Sequence, residues 1–149
     1  GEPLTDEPHY DSVKSVFASA AENVVDHLLF HRAAPLPAGV QGSEDFRRAF
    51  ATGVPRAAAG VTLKDLSLDG RLFTLRCSYL IYSETFRSLP APLLDRIFAR
   101  LHEALTSTDP KNRYAYLEAG EKRRILELLT ETHPLARAQF AKGRANRPR

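Results

Sequence analysis

The chain has 149 residues, of which 43% are hydrophobic and 26% are charged, a composition typical of one globular domain that excludes a wholly disordered or fibrous protein. Its apolar stretches are far shorter than the roughly 20 residues that cross a bilayer, which excludes a transmembrane helix. The net charge of +3 comes from the last nine residues, which contain four of the 21 basic residues and no acid. The rest of the chain has 17 basic and 18 acidic residues and is nearly neutral, so its charge gives little support for a nucleic-acid partner.

The two ends of the chain differ in composition from the part between them. Residues 1–10 contain acids and prolines without a helical period and predict an extended leader. Residues 11–141 predict a single helical domain, and residues 142–149 predict a basic, flexible tail. The leader lacks the basic and then apolar pattern of a secretory signal, and the chain contains no Met. We therefore expect a processed form or a part of a longer polypeptide.

Helical spacing of apolar residues predicts the first helix. It runs from Asp11 to His31, with Asp11 or Ser12 as its N-cap. Its apolar stripe consists of Val13, Val16, Phe17, Ala20, Val24 and Leu28. The prolines of residues 33–42 predict a loop, after which Ser43 caps a short second helix. The predicted apolar face of that helix is formed by Phe46, Ala49 and Phe50.

The middle of the chain is less regular. Thr62 to Leu68 predicts one helical turn, and the segment Gly70 to Leu89 fits two different periods. The residues that alternate as in a strand are Phe73, Leu75, Cys77, Tyr79 and Ile81. Those that fit one helical stripe are Leu72, Leu75, Tyr79, Tyr82 and Phe86. A buried helix is favoured, because a lone strand would leave unpaired backbone groups in the core.

Two further helices are predicted in the last third of the chain. Pro90 and Pro92 introduce the first, since proline suits the first turn of a helix. Its apolar stripe consists of Leu94, Ile97, Phe98, Leu101 and Leu105. The second runs from Glu118 to Thr132 with acids at its N-terminal end, and His133 and Pro134 terminate it. Leu135 to Lys142 predicts a short helical turn.

These elements together predict the fold class. Long, proline-containing connections between the helices favour an all-α irregular orthogonal bundle of about four main helices plus short helical turns. No internal repeat of 20 to 50 residues is visible, which disfavours a solenoid.

His27 and His31 are the candidate metal ligands. A spacing of four places both imidazoles on one face of the predicted helix, where they could hold one metal ion or frame the edge of a haem. The sequence shows no glutamate beside the first histidine and no haem-attachment motif. The competing interpretation is that both histidines lie in solvent and interact with the helix dipole.

Cys77 is the single cysteine of the chain, so no internal disulfide can form. A catalytic thiolate needs a lowered pKa, and the only basic residue that adjoins Cys77 is Arg76. A small buried apolar residue is therefore the favoured interpretation. Because no phosphate-binding glycine loop, nucleophile elbow or calcium loop is present either, an enzyme is disfavoured without being excluded.

A scattered set of motifs carries a resemblance to known proteins. They are Leu28-Leu29-Phe30, Ala34-Pro35-Leu36-Pro37, Phe46, Arg71-Leu72-Phe73, the run Cys77 to Ser83, Phe86, Leu89-Pro90 and Ile125 to Leu129. In these the chain resembles the C-terminal helical region of larger exported bacterial proteins of unassigned activity. The resemblance implies a helical module of a longer polypeptide in the periplasm or outside the cell. It implies no catalytic residue.

The expected function follows from abundant core signals and the lack of a complete site. We expect a non-catalytic helical interaction or accessory module whose partner is another protein or the parent polypeptide. The alternative is a metal- or haem-binding redox protein that uses His27 and His31. The sequence assigns no catalytic residue and no cofactor.

Overall fold

The computed structural model describes residues 11–34, 43–67 and 71–145. Six α-helices lie in these ranges: α1 (Asp11–Leu28), α2 (Glu44–Phe50), α3 (Glu84–Arg87), α4 (Ala91–Thr106), α5 (Ala119–Thr132) and α6 (Pro134–Ala145). A 3₁₀ turn, Tyr79–Tyr82, precedes α3, and the described ranges contain no strand. The all-α fold class predicted from the sequence is therefore confirmed. None of these helices is long and apolar enough to cross a membrane.

The helix α4 lies at the centre of the bundle and packs against α1, α5 and α6. It begins with proline in its first turn, as predicted. The apolar residues that it buries are Leu94, Ile97, Phe98, Leu101, Ala104 and Leu105. Full burial of one large apolar side chain contributes about 1.5–3 kcal/mol, so this stripe supplies much of the hydrophobic driving force.

The helix α1 ends earlier than the sequence predicts, at Leu28 instead of His31. Phe30 has a φ of 55°, and the N–H groups of His31 and Phe30 donate to the carbonyls of Asp26 and His27 at 2.8 and 3.3 Å. This is the Schellman arrangement that closes a helix. Glycine usually occupies the left-handed position, and its absence hid the helix end in the sequence.

The prediction of a helix over Gly70 to Leu89 is wrong for residues 71–78. Leu66 and Phe73 form an isolated antiparallel bridge, and the N–H of Thr74 donates to Asp65 at 2.8 Å. Further along, the N–H of Ser78 donates to the carbonyl of Leu28 at 2.7 Å. A loop and the end of α1 thus satisfy backbone groups that were expected to need a helix or a sheet.

Burial along this segment follows the alternating pattern through Leu75 and Cys77, both essentially inaccessible to solvent. Ser78 then caps the 3₁₀ turn by accepting a hydrogen bond from the N–H of Leu80, and Ser83 caps α3 in the same way. The helical part of residues 71–89 is therefore limited to the 3₁₀ turn and α3.

Two shorter elements also differ from the predictions. A helical turn is predicted over Thr62 to Leu68, but the described residues 62–67 contain none, because the Asp65 carboxylate accepts hydrogen bonds from the N–H and hydroxyl of Thr62 and closes a non-helical turn. At the other end of the chain, the short turn predicted for 135–142 is the full helix α6. It includes residues 142–145 of the predicted tail, whereas the predicted leader lies outside the described residues.

His133 joins α5 to α6 and explains why α6 begins directly after α5 ends. It is the C-cap of α5, and its Nδ1 accepts a hydrogen bond from the N–H of Ala136 in the first turn of α6. Its Nε2 lies 2.9 Å from the carbonyl of Ile81. Pro134 therefore ends one helix, as predicted, and also occupies the first turn of the next.

Candidate interaction surface

The helix α2 lies on the surface and buries none of its residues. Ser43 caps it, as predicted, by accepting a hydrogen bond from the N–H of Phe46 at 3.1 Å. Most of the predicted apolar face is uncovered, since Phe46 is 57% exposed and Ala49 is exposed as well, whereas Phe50 is half-buried. The helix therefore presents apolar side chains to solvent instead of contributing them to the core.

Five aromatic residues form a continuous cluster on this side of the molecule: Phe30, Phe46, Phe50, Phe73 and Tyr79. Neighbouring ring centroids are 5.7 to 6.3 Å apart. Aromatic pairs at such separations contribute about 0.5–1.5 kcal/mol each beyond their buried area. We call these residues the aromatic cluster, and it holds α2 against the segment 71–80.

The surroundings of the aromatic cluster are both apolar and cationic. Leu72 and Leu80, which adjoin two of its members in sequence, are 40% and 57% exposed. The ammonium group of Lys64 lies 5.0 Å from the ring centroid of Phe50 and 4.8 Å from that of Tyr79. Both distances are within the range of cation–π attraction.

The other side of α2 forms one wall of an open cleft of about 390 Å³. Three arginines line it, Arg47, Arg48 and Arg56, together with the carboxylates of Glu44 and Asp65. We call it the arginine cleft. Pockets for drug-sized ligands are predominantly apolar, so a cleft with this lining is better suited to a charged group.

Few of the donors of these arginines are engaged by the carboxylates of the cleft. Glu44 lies 3.8 Å from Arg47 and 3.7 Å from Arg48, beyond hydrogen-bond distance. Arg47 and Arg56 instead donate to the neutral carbonyls of Leu66 and Gly60. Since a guanidinium has five N–H donors, the cleft retains capacity for an anionic ligand.

The structure places the predicted metal ligands differently from the sequence. His31 lies beyond the end of α1, so the two histidines do not share one helical face. His27 is exposed, and its Nδ1 lies 2.7 Å from the carbonyl of Asn23. Among the residues that the structure describes, no group of three or more His, Cys, Asp or Glu side chains could hold a metal ion. Binding of a metal ion or haem by His27 and His31 stays a prediction.

His31 belongs to a polar network around Asp26. Its Nδ1 lies 3.7 Å from the Asp26 carboxylate, which accepts two 2.9 Å bonds from Arg113 and one of 2.7 Å from the hydroxyl of Tyr114. Burial raises the pKa of Asp26, but the hydrogen bonds from Arg113 and Tyr114 outweigh it and lower the pKa below its usual value. These contacts fasten the loop before α5 to the end of α1.

Cys77 is fully buried, which confirms its interpretation as a small apolar core residue. Burial raises the pKa of its thiol to about 12. Only the thiolate is a strong nucleophile, so the buried thiol is inert at neutral pH.

Sequence reasoning missed the three arginines of the cleft and Lys64. The available signal was the order of residues on α2, where Phe46 and Phe50 flank the Arg47-Arg48 pair. A strongly basic pair inside a helix with exposed aromatic residues is typical of a binding surface. The apolar spacing of Phe46, Ala49 and Phe50 instead predicts a face packed on the core.

Comparison with known proteins assigns this chain to no family, because no family model, no curated protein and no solved structure matches it. The resemblance to exported bacterial proteins therefore stays a prediction. What the chain does must be inferred from its own surface.

Proposed function

We propose that this chain is a non-catalytic helical interaction module whose protein partner binds the aromatic cluster. The observation that carries the proposal is that Phe46, a member of the aromatic cluster, is 57% exposed, and that Leu80, next in sequence to its member Tyr79, is equally exposed. Aromatic residues and arginines are enriched at the centres of protein interfaces. Both occur together here on α2 and the segments beside it.

The rigidity of the aromatic cluster favours the same function. Its rings contact one another, so a partner that covers them immobilises few additional side chains. Immobilising a flexible side chain on binding costs about 0.5–1.5 kcal/mol, and a preformed surface avoids part of that cost. The cluster is therefore organised before a partner arrives.

A displayed random-peptide library tests this proposal on the full chain. We expect selected peptides to bind the Phe46→Ala and Leu80→Ala variants about 30-fold more weakly, since truncation of a central interface residue costs about 2 kcal/mol. Leu135→Ala is the matched control, because Leu135 is an exposed leucine on α6. Selection of no peptide, or equal binding to all variants, would contradict the proposal.

The wider context of the module is a separate part of the proposal. The resemblance implies that the module belongs to a larger exported bacterial protein. Determination of the full reading frame is the direct test, with an export signal and further domains as the expected result. A frame without an export signal would rule out this context and leave the binding surface unaffected.

A further inference from the structure

We propose that the partner segment is an acidic peptide whose Asp or Glu side chains enter the arginine cleft while its apolar side chains cover the aromatic cluster. This inference rests on the proposed function and assigns the chemistry of the partner. It joins two surfaces that α2 holds together, the exposed ring of Phe46 on one side and Arg47 and Arg48 on the other.

The aromatic cluster and the arginine cleft are close enough for one peptide to contact both. Successive residues of a helix rise by about 1.5 Å, so Phe46, Arg47 and Arg48 lie within a single turn. A peptide that crosses α2 therefore meets the aromatic ring and the guanidinium groups within a few of its own residues. Lys64, which lies over the rings of Phe50 and Tyr79, adds a further cation next to α2.

The charges of the arginine cleft select the sign of the ligand. Arg47, Arg48 and Arg56 face two carboxylates, and one of these, Asp65, already accepts two hydrogen bonds from Thr62 at 3.0 and 2.9 Å. The Arg48 side chain is 80% exposed and reaches Glu44 only at 3.7 Å. Carboxylates match the planar donor pattern of arginine, so acidic side chains are the complementary ligand.

The aromatic cluster favours a peptide over a nucleic acid as the source of that negative charge. Nucleic-acid binding needs open ring faces on which bases stack. Phe50 is stacked against both Phe46 and Phe73, and Lys64 lies over it as well, so of the two rings of α2 only the exposed Phe46 could present a face to a base. The exposed leucines Leu72 and Leu80 offer apolar contact and no stacking surface. Apolar side chains are the better complement.

The peptides selected from a displayed random library provide the test. We expect them to combine Asp or Glu with large apolar residues, and to bind Arg48→Ala and Arg56→Ala about tenfold more weakly than the unchanged chain. Arg123→Ala is the matched control, because Arg123 is an exposed arginine on α5. Replacing the acids of a selected peptide by Asn and Gln is expected to weaken binding to a similar degree.

Ionic strength gives a readout that a folding defect would not mimic. Added salt is expected to weaken binding of the acidic peptide to the unchanged chain, because salt screens the attraction between the arginines and the acids. The Arg48→Ala/Arg56→Ala double variant lacks that attraction, so salt should affect its binding less. Unchanged melting temperatures of the single and double arginine variants would show that they remain folded.

Other occupants lead to different results. Selected peptides without acids that depend on Phe46 but not on Arg48 would overturn this inference and leave the interaction module standing. If the proposed function itself is wrong, the result is different: no selected peptide depends on Phe46 or Leu80 for binding.

Dimerisation of the unchanged chain that is lost in Phe46→Ala would identify a second copy as the occupant. Tighter peptide binding by the Glu2→Gln/Asp6→Asn/Glu7→Gln variant would identify the chain's own acidic leader, and competition by an oligonucleotide would identify a nucleic acid.

Discussion

Glu121 shows how a single residue fastens an irregular segment to the bundle. Its side chain is 3% exposed and accepts hydrogen bonds from the N–H of Arg76 at 2.9 Å and from its guanidinium at 2.8 Å. Arg71 lies 3.5 Å away. Burial raises the pKa of Glu121, but the hydrogen bonds and charges of the two arginines outweigh it and hold the pKa below its usual value.

Glu121→Gln is expected to lower the free energy of unfolding by about 2 kcal/mol. The loss is smaller than the roughly 3–5 kcal/mol typical of a fully buried ion pair, because both arginines remain partly exposed to solvent. Urea denaturation measures the difference. Glu127→Gln, which changes an exposed glutamate of α5, is the control and is expected to stay within about 0.5 kcal/mol. Equal stability of the two variants would contradict the assigned role.

The residue scale also shows what sequence alone could predict. The sequence correctly predicts that Cys77 is buried, because Leu75, Tyr79 and Ile81 alternate with it in an apolar pattern. From the sequence, Glu121 is one of the acids at the N-terminal end of its helix, and its partners Arg71 and Arg76 cannot be predicted because they are distant along the chain. Phe46 has the spacing of a core residue, and only its three-dimensional surroundings show that more than half of it is exposed.

Among the elements, α4 and α5 could be predicted closely and the segment 71–78 could not. Each of the two helices buries a stripe at helical spacing, so the local pattern and the tertiary packing agree. The segment 71–78 depends on hydrogen bonds to Leu28, Asp65 and Glu121, which belong to three other parts of the chain. Local periodicity contains no information about such partners.

The packing of α6 against α4 depends on the absence of a side chain at Gly143. A Cβ at this position would lie 2.8 Å from Nδ1 and 2.9 Å from Cε1 of His102. His102 is buried, and its ring lies 5.3 Å from that of Phe140, so little space is left for it to move. At Gly120 in the first turn of α5, an added Cβ meets nothing within 4 Å.

The same substitution is therefore expected to have opposite effects on the two helices. Gly143→Ala should lower the free energy of unfolding by about 1–3 kcal/mol, because it forces apart a packed contact. Gly120→Ala should raise it by about 0.5–1 kcal/mol, since alanine loses less backbone freedom on folding. Urea denaturation of both variants provides the measurement. A Gly143→Ala protein at least as stable as the unchanged chain would show that α4 and α6 do not approach this closely.

At the scale of the whole molecule, the fold class could be predicted because helical periodicity recurs along most of the chain. The candidate surface could not be predicted, since it combines α2, Lys64, Arg56 and the segment 71–80 from separate stretches of sequence.

In the described part of the molecule, every buried side-chain nitrogen or oxygen atom has a hydrogen-bond partner. Glu121 accepts hydrogen bonds as a carboxylate, and Nδ1 of His133 accepts one as a neutral imidazole, so the contribution of these two groups to stability depends on pH.

The protonation states of three buried or partly buried groups link stability to pH. Burial lowers the pKa of His133 from its ordinary 6.5, and the charge of Arg87 lowers it further against the opposing bond to Ile81. The unfolded chain therefore binds a proton more readily than the folded chain as the pH falls below about 6.5, and stability decreases there. Asp26 and Glu121 have lowered carboxyl pKa values, so their contributions are present above about pH 4.5 and decrease only at lower pH.

Acidification is thus expected to lower the free energy of unfolding in two stages, and His133→Gln is expected to remove the first. Glutamine keeps an N–H that can donate to the carbonyl of Ile81 but does not titrate, so stability should become flat between about pH 6.5 and 5. His27→Gln is the control, because His27 is exposed and its replacement should leave the first stage in place. Urea denaturation at a series of pH values measures both variants. If the first stage persists in His133→Gln, or is lost in His27→Gln, the acid sensitivity arises from a different group than the histidine that joins α5 to α6.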